Sequence, residues 1–512
     1  MPLPKIRTNT AIIAGVIALS NGLFATDIWQ ESSSLAAAAA EGAKVAWQNE
    51  KSANCDQALY FATLLSKGQF SQAHKIMDPT MQAALPLKQL TMTWQSLIAQ
   101  LGPLKALRPS AAEAIGAFKK TIVAAEFERA TLDLQIAIKD AKISGFFIKP
   151  HQLKSTEPAY ANKEKFQEIP VKIGSGTRPN TNTSSNASSN TSSNTSSNTY
   201  QLDGTLSLPN GPGPYPAVVL VHGSGPCDSD ETIGAVKVFR DIAWGLASKE
   251  IAVLRYDKRT HQHGQAMVAA GLIDKITVKE ETTDDALLAV SLLANDKRIE
   301  KNHIFILGHS LGAMVVPRLA KADDTASGFI IMAGPTRPLE DMLLEQTEYL
   351  LSTSDISTSD ISTSDISTSG KDGKKPISAA GQKELANLRE KIKAAKDPNL
   401  SLNTPSTKLP LGLPASYWLD LRDYKPAEAA KEIKKPILVL QGGKDYQITM
   451  VDFQNWWNAL NDKGNTTFKV YNGLNHGFVK AGDFSTASDY DQPQNVSAEV
   501  INDISKWIKS QD

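Results

Sequence analysis

Cysteine is almost missing from this chain of 512 residues. There are two, Cys55 and Cys227, placed in what read as different domains. Two thiols make no disulfide framework and supply neither the count nor the spacing of a metal site. His261-Gln262-His263 lies in a polar loop without an acidic or cysteine companion, so it reads as surface and no metal is expected. An excess of charge is missing as well. Lys and Arg total 54, as do Asp and Glu, and no basic stripe breaks the balance, which argues against a nucleic-acid partner. Long hydrophobic runs are also absent. The apolar stretch Ala11 to Leu19 is short for a bilayer span, and nothing later in the chain is hydrophobic enough to cross one.

That stretch follows Lys5 and Arg7 and leads to Asn21-Gly22-Leu23-Phe24-Ala25, the pattern of a secretory signal over residues 1–26. Leu23 stands where a small residue is preferred for cleavage, so an uncleaved N-terminal anchor is the alternative and the sole route to a membrane. The expected location is secreted, periplasmic or associated with the cell envelope. The length suits two folded domains with linkers. Residues 27–44 read as a linker. Residues 45–150 read as a small α+β domain: a helical pattern through Leu59, Phe61, Leu64, Leu65, Leu90, Trp94, Leu97 and Ile98 precedes alternating strands. The clearest strand carries Leu132, Leu134, Ile136 and Ile138. No catalytic constellation falls in this region.

The remainder, residues 165–512, carries the chemistry. Gly308-His309-Ser310-Leu311-Gly312 stands between an apolar strand and a helix, the setting of a nucleophile elbow whose strained turn pushes a serine Oγ outward. Such a serine needs a base, and the base needs an orienting acid. His476 is the one histidine beyond Ser310. Asp445 is the favoured acid because it closes the buried run Ile437 to Gly443 at the carboxyl end of a strand, where functional groups of open α/β sheets sit. Asp452 is the runner-up, although it falls inside the next helix. The strand Pro216 to Val221 ends in His222-Gly223-Ser224-Gly225-Pro226. This turn can aim the N–H of Ser224 at an oxyanion together with the N–H of Leu311. His222 precedes the nucleophile and reads as a brace of the turn.

The runs Val219 to Pro226, Ala252 to Arg259 and Gly308 to Gly312 resemble bacterial α/β-hydrolase esterases near the dienelactone hydrolases and serine aminopeptidases. Members often carry a small nuclear-transport-factor-like N-terminal domain. The resemblance implies a mostly parallel sheet with a helical cap and activity on short or medium acyl esters. It places the triad on Ser310, Asp445 and His476. No cofactor is implied, and the expected partner is a small-molecule ester. Peptidase or acyltransferase chemistry with the same triad, or a non-catalytic envelope binding protein, are the alternatives. Cys227 departs from the pattern, since a polar residue is expected there.

Two polar tracts also depart from it. The Thr-Ser-Ser-Asn repeat inside residues 175–199 reads as an expanded hairpin turn, and the Ser-Thr-Ser-Asp-Ile repeat at 352–369 falls in a cap insertion spanning 335–434. Neither can bury a core. The cap also holds the cluster Leu411, Leu413, Tyr417, Trp418 and Leu419. Tyr417 and Trp418 are candidates to line the acyl pocket, with plain packing of cap on core as the alternative.

Overall fold

The computed structural model describes residues 57–511, apart from 116–117, 129, 152–153, 175–199, 354–375 and 483. The expected leader, the linker, the hairpin-loop tract and all but the first two residues of the 352–369 repeat lie outside the described residues. The chain divides into two compact units, with the boundary between residues 153 and 154.

The first unit is α+β. Helices α1 (residues 57–66), α2 (Phe70–Lys75), α3 (Pro79–Ala84) and α4 (Leu87–Leu101) precede four antiparallel strands. These are β1 (Leu104–Ile115), β2 (Phe118–Phe127), β3 (Thr131–Lys139) and β4 (Lys142–Pro150), in the order β1-β2-β3-β4. Along β3 the residues Leu132, Leu134, Ile136 and Ile138 share one face and join a core with Phe61, Leu65, Trp94 and Leu97. The last two stand three apart on α4, so the helical and strand periods meet in one apolar layer. Asp78 caps α3 by accepting the Met81 N–H at 2.7 Å, ahead of Pro79.

The second unit is built on an eight-stranded sheet ordered β14-β13-β12-β11-β7-β10-β6-β5. Its strands are β5 (Phe166–Ile173), β6 (Leu202–Pro209), β7 (Tyr215–Val221), β10 (Ala252–Tyr256), β11 (Ile299–His309), β12 (Gly328–Met332), β13 (Ile437–Gly442) and β14 (Thr466–Tyr471). The labels β8 (Thr232–Ile233) and β9 (Val236–Lys237) belong to a small separate hairpin. Only β6 runs against its neighbours. The central strands are continuous apolar runs because both sheet faces are covered. Val219, Ile306, Ile331 and Val439 enter one core, while Val218, Phe305, Ile330 and Leu438 enter the other. Helices α5 (Val238–Ala247) and α13 (Ala498–Lys509) cover the second face through Phe239, Ile242, Ile501 and Ile504. Helix α6 (Asp284–Ala294) and helix α12 (Met450–Leu460) help cover the first through Ala289, Leu293, Trp456 and Leu460. Each such large side chain contributes roughly 1.5–3 kcal/mol of burial.

This topology positions the site. After β7 the chain steps to β10 on one side, then crosses to β11 on the other, so the loops leaving β7 and β11 diverge around a crevice. The registers Leu220 to Leu307 and Val221 to Gly308 bring those two carboxyl ends level. The expected helix after β11 is two pieces, α7 (Leu311–Met314) and α8 (Val316–Ala322), with Pro317 in the first turn of the second. The cap occupies the chain between β12 and β13. Helices α9 (Leu339–Thr353) and α10 (Ala379–Lys396) flank the second repeat, whose Ser352 and Thr353 are the last two residues of α9. Helix α11 (Ala415–Leu421) follows. Among the described residues no helix is long and apolar enough to cross a membrane.

Candidate active site

Ser310 stands alone between β11 and α7, at φ 54° and ψ −121°. An L-residue pays on the order of 1–3 kcal/mol for such a backbone, and its neighbours keep it there. A Cβ on Gly308 would lie 2.3 Å from Gly312 O, and one on Gly312 would lie 2.1 Å from Val221 O. The turn therefore tolerates a side chain at neither glycine, and Ser310 N–H is tied to Met332 O at 3.0 Å.

Asp445 and His476 are brought together from the loops after β13 and β14. His476 Nδ1 lies 2.7 Å from Asp445 Oδ2. The other carboxylate oxygen accepts the N–H groups of Gln447 at 2.8 Å and Ile448 at 2.9 Å. The carboxylate thus has one oxygen fixed by backbone and one presented to imidazole. Asp452, the alternative acid, is fully buried elsewhere: Arg337 Nη2 donates to it at 2.7 Å and Thr336 N–H at 2.8 Å. It clamps the start of the cap to α12 and does not meet His476.

The glycine turn after β7 lies against the serine, since a Cβ on Gly223 would fall 3.1 Å from Ser310 Cβ and 3.6 Å from its Oγ. Among the described residues no intramolecular acceptor takes the N–H of Ser224 or of Leu311. Cys227, unexpected by pattern, closes the turn as a weak donor to Gly225 O at 3.5 Å and Ser224 O at 3.6 Å. Burial pushes its thiol up to about 12, so it stays protonated for that task.

A strained serine, an Asp–His pair from later loops and unpaired turn amides are together suited to hydrolytic chemistry, and the comparisons place the chain among hydrolases. Residues 213–481 match the family described as Serine aminopeptidase, S33. Esterase EstD of Thermotoga maritima is 32% identical over 469 residues, covering 88% of this chain and 94% of its own. The chain belongs to the serine aminopeptidase S33 family of α/β-hydrolases. It is a serine hydrolase. Residues 58–146 match a family described as a protein of unknown function (DUF3887). Among solved structures, an esterase from Pyrococcus furiosus aligns with a TM-score of 0.40 and 13% identity over 70% of this chain and 98% of its own. Est1E from Butyrivibrio proteoclasticus aligns with a TM-score of 0.36 and 16% identity over 61% of this chain and 94% of its own.

Behind the site of this S33-family hydrolase lies a pair that sequence reasoning missed. His309 Nε2 donates to the carbonyl of His476 at 2.9 Å, and its Nδ1 sits 2.9 Å from Glu231 Oε2, off the line of the ring N–H. Both nitrogens face acceptors, which suits an imidazolium. Burial works against that charge, but the Glu231 carboxylate outweighs it and holds the His309 pKa above the ordinary value. Glu231 in turn accepts Gly223 N–H at 2.7 Å. One buried ion pair thereby spans from the glycine turn to the His476 backbone.

The two aromatic pocket candidates are both buried. Tyr417 is 1% exposed and donates its hydroxyl to Glu281 at 3.2 Å. Trp418 is 3% exposed and packs with Ala395, Leu409 and Ala415 inside the cap. Both rings are enclosed by protein, Tyr417 in the core on one face of the sheet and Trp418 within the cap.

His222 braces the turn as expected: Nε2 lies 3.1 Å from Asp228 O and the ring packs on Phe239 and Tyr256. Burial pushes its pKa down to about 4 from 6.5. The unfolded chain takes a proton near pH 6.5 that the folded chain refuses until about pH 4, so stability falls as pH falls across that window. The loss reaches about 3 kcal/mol. His222→Gln should remove this dependence, so that urea midpoints of the two proteins converge or cross between about pH 7 and about pH 4.5. Parallel midpoints across the window would mean His222 is charged in the fold.

Proposed function

We propose that this serine hydrolase is a carboxylesterase acting on short- to medium-chain esters through an acyl-enzyme. Ser310 Oγ attacks the ester carbonyl, His476 takes its proton and returns it to the departing alcohol, and Asp445 holds the imidazole with Nδ1–H toward the carboxylate. The N–H groups of Ser224 and Leu311 receive the oxyanion. Water then repeats the sequence on the acyl-enzyme. The observation that carries this reading is the 2.7 Å Asp445–His476 bond, which leaves Nε2 as the working nitrogen.

Ester is favoured over aminopeptide because the relative matched along most of both chains is named an esterase. We further read residues 1–26 as an export signal, supported by its basic and apolar segments, and place the substrate among small esters.

The test is a substrate screen on purified protein. p-Nitrophenyl esters from acetate to laurate should be turned over, with kcat/KM greatest among the short and medium chains. Aminoacyl p-nitroanilides should be poor substrates. A fluorophosphonate probe should label the chain at Ser310. Efficient anilide cleavage with weak ester turnover would move the protein to the peptidases, and absence of labelling would remove the acyl-enzyme.

A further inference from the structure

Gly223 lies against Ser310 and is gripped at both of its backbone groups by buried charge. Its N–H donates to Glu231 at 2.7 Å, and its carbonyl accepts from the Lys258 ammonium at 2.7 Å. The second bond bears on chemistry directly, because the Gly223 carbonyl and the Ser224 N–H are opposite ends of one rigid peptide plane. Lys258 also donates its own backbone N–H to Cys227 O at 3.0 Å. A single residue therefore fastens the turn at 223 and again at 227.

Lys258 is 1% exposed, and a lysine in such a place needs a reason. Its ammonium lies 3.4 Å from Glu281 Oε2. Thr260 donates to Glu281 Oε1 at 2.7 Å, and the Tyr417 hydroxyl donates to Oε2 at 3.2 Å. Glu281 itself sits on a π-helical turn, Lys279–Thr283, a local irregularity that often accompanies function. Burying such a pair recovers little net stability, and well-packed apolar residues commonly serve a core as well or better. Stability alone does not account for the arrangement.

We propose that Lys258 is a positioning residue of the oxyanion hole, whose ammonium orients and polarises the Gly223–Ser224 peptide, and that the cap residue Tyr417 holds it in place through Glu281. The inference rests on the reading of Ser310 and Ser224 given above. When Ser310 Oγ bonds to the ester carbon, its proton passes to His476 and the carbonyl π pair moves onto oxygen. That new charge forms beside Ser224 N–H. A cation bonded to the other end of the same amide draws electron density from the N–H, making it a stronger donor. It also fixes the donor's direction before charge develops, so no reorganisation is needed during the reaction.

The test uses the full chain with Lys258→Met, Lys258→Arg and Tyr417→Phe, with Ser310→Ala as control. Active sites are counted by the alcohol burst. Lys258→Met should lose on the order of 100-fold in kcat per active site, with KM little changed. Its affinity for a trifluoromethyl ketone, which adds Ser310 to give a tetrahedral oxyanion, should fall by a similar factor. Lys258→Arg should recover most of both losses. A merely structural lysine would lower the melting temperature and the count of active sites while leaving kcat per site and ketone affinity intact, and that result overturns the proposal. If Lys258→Met does not fold, Tyr417→Phe, which removes one hydroxyl, must lower kcat and ketone affinity together by several-fold. An unaltered Tyr417→Phe in that case also overturns it. Should Ser310→Ala retain full ester turnover, the hydrolase mechanism itself fails. A dead Ser310→Ala beside an unimpaired Lys258→Met sinks only the role of Lys258.

Discussion

Ser310→Ala is expected to abolish acyl-enzyme formation, and His476→Ala to cost about as much, on the order of 10⁶-fold in kcat, because nucleophile and base act as one unit. The double variant should lose scarcely more than either single one. Residual hydrolysis above the buffer rate should persist in all three, since the Ser224 and Leu311 amides remain to meet an oxyanion formed by water. The two single variants should separate in stability. Alanine at 310 inherits the same backbone at φ 54° and removes one hydroxyl, so its melting temperature should hardly move. Alanine at 476 leaves the fully buried Asp445 side chain without its imidazole. The two backbone N–H groups on Oδ1 still solvate it, so a measurable but incomplete loss of stability follows. Full ester turnover by purified Ser310→Ala would end the mechanism.

How much of this was legible beforehand depended on the range of the interactions. The elbow was, because backbone crowding at Gly308 and Gly312 is local and forces its signature into five consecutive residues. The central strands were, because burial on both faces demands unbroken runs such as Val218 to Val221. The Glu231–His309 pair was not. His309 occupies a position that the elbow pattern leaves free, and its partner stands far upstream on another loop. Lys258 lies in the run Ala252 to Arg259 that carries the family resemblance, yet the role proposed for it depends on Gly223, Glu281 and Tyr417, which three separate segments deliver. Tyr417 and Trp418 mark the same limit from the other side. Their place in an apolar and aromatic cluster points to burial, which the fold shows, but whether a buried ring faces substrate or its own cap is decided by tertiary contacts alone.

The choice between Asp445 and Asp452 was of that kind, and it yields the last prediction. Asp445→Asn should lower kcat on the order of 10⁴-fold while leaving the fold in place. The amide oxygen can keep the N–H groups of Gln447 and Ile448, which turns the new NH₂ toward His476 Nδ1. That donor forces Nδ1 to accept, moves the ring proton to Nε2, and leaves the base with its working nitrogen already occupied. Loss of the carboxylate also removes the charge that stabilises the imidazolium. KM should change far less, since no substrate atom is bound by this group. Asp452→Asn should show the reverse pattern. Its carboxylate is fully buried and holds Arg337 and Thr336, so the cost should appear as about 3 kcal/mol of stability with kcat per folded molecule nearly intact. Urea melts and burst-normalised kcat on the two variants separate these outcomes. If Asp452→Asn proved dead while folded, and Asp445→Asn active, the 2.7 Å bond to His476 would not be the one that orients the base.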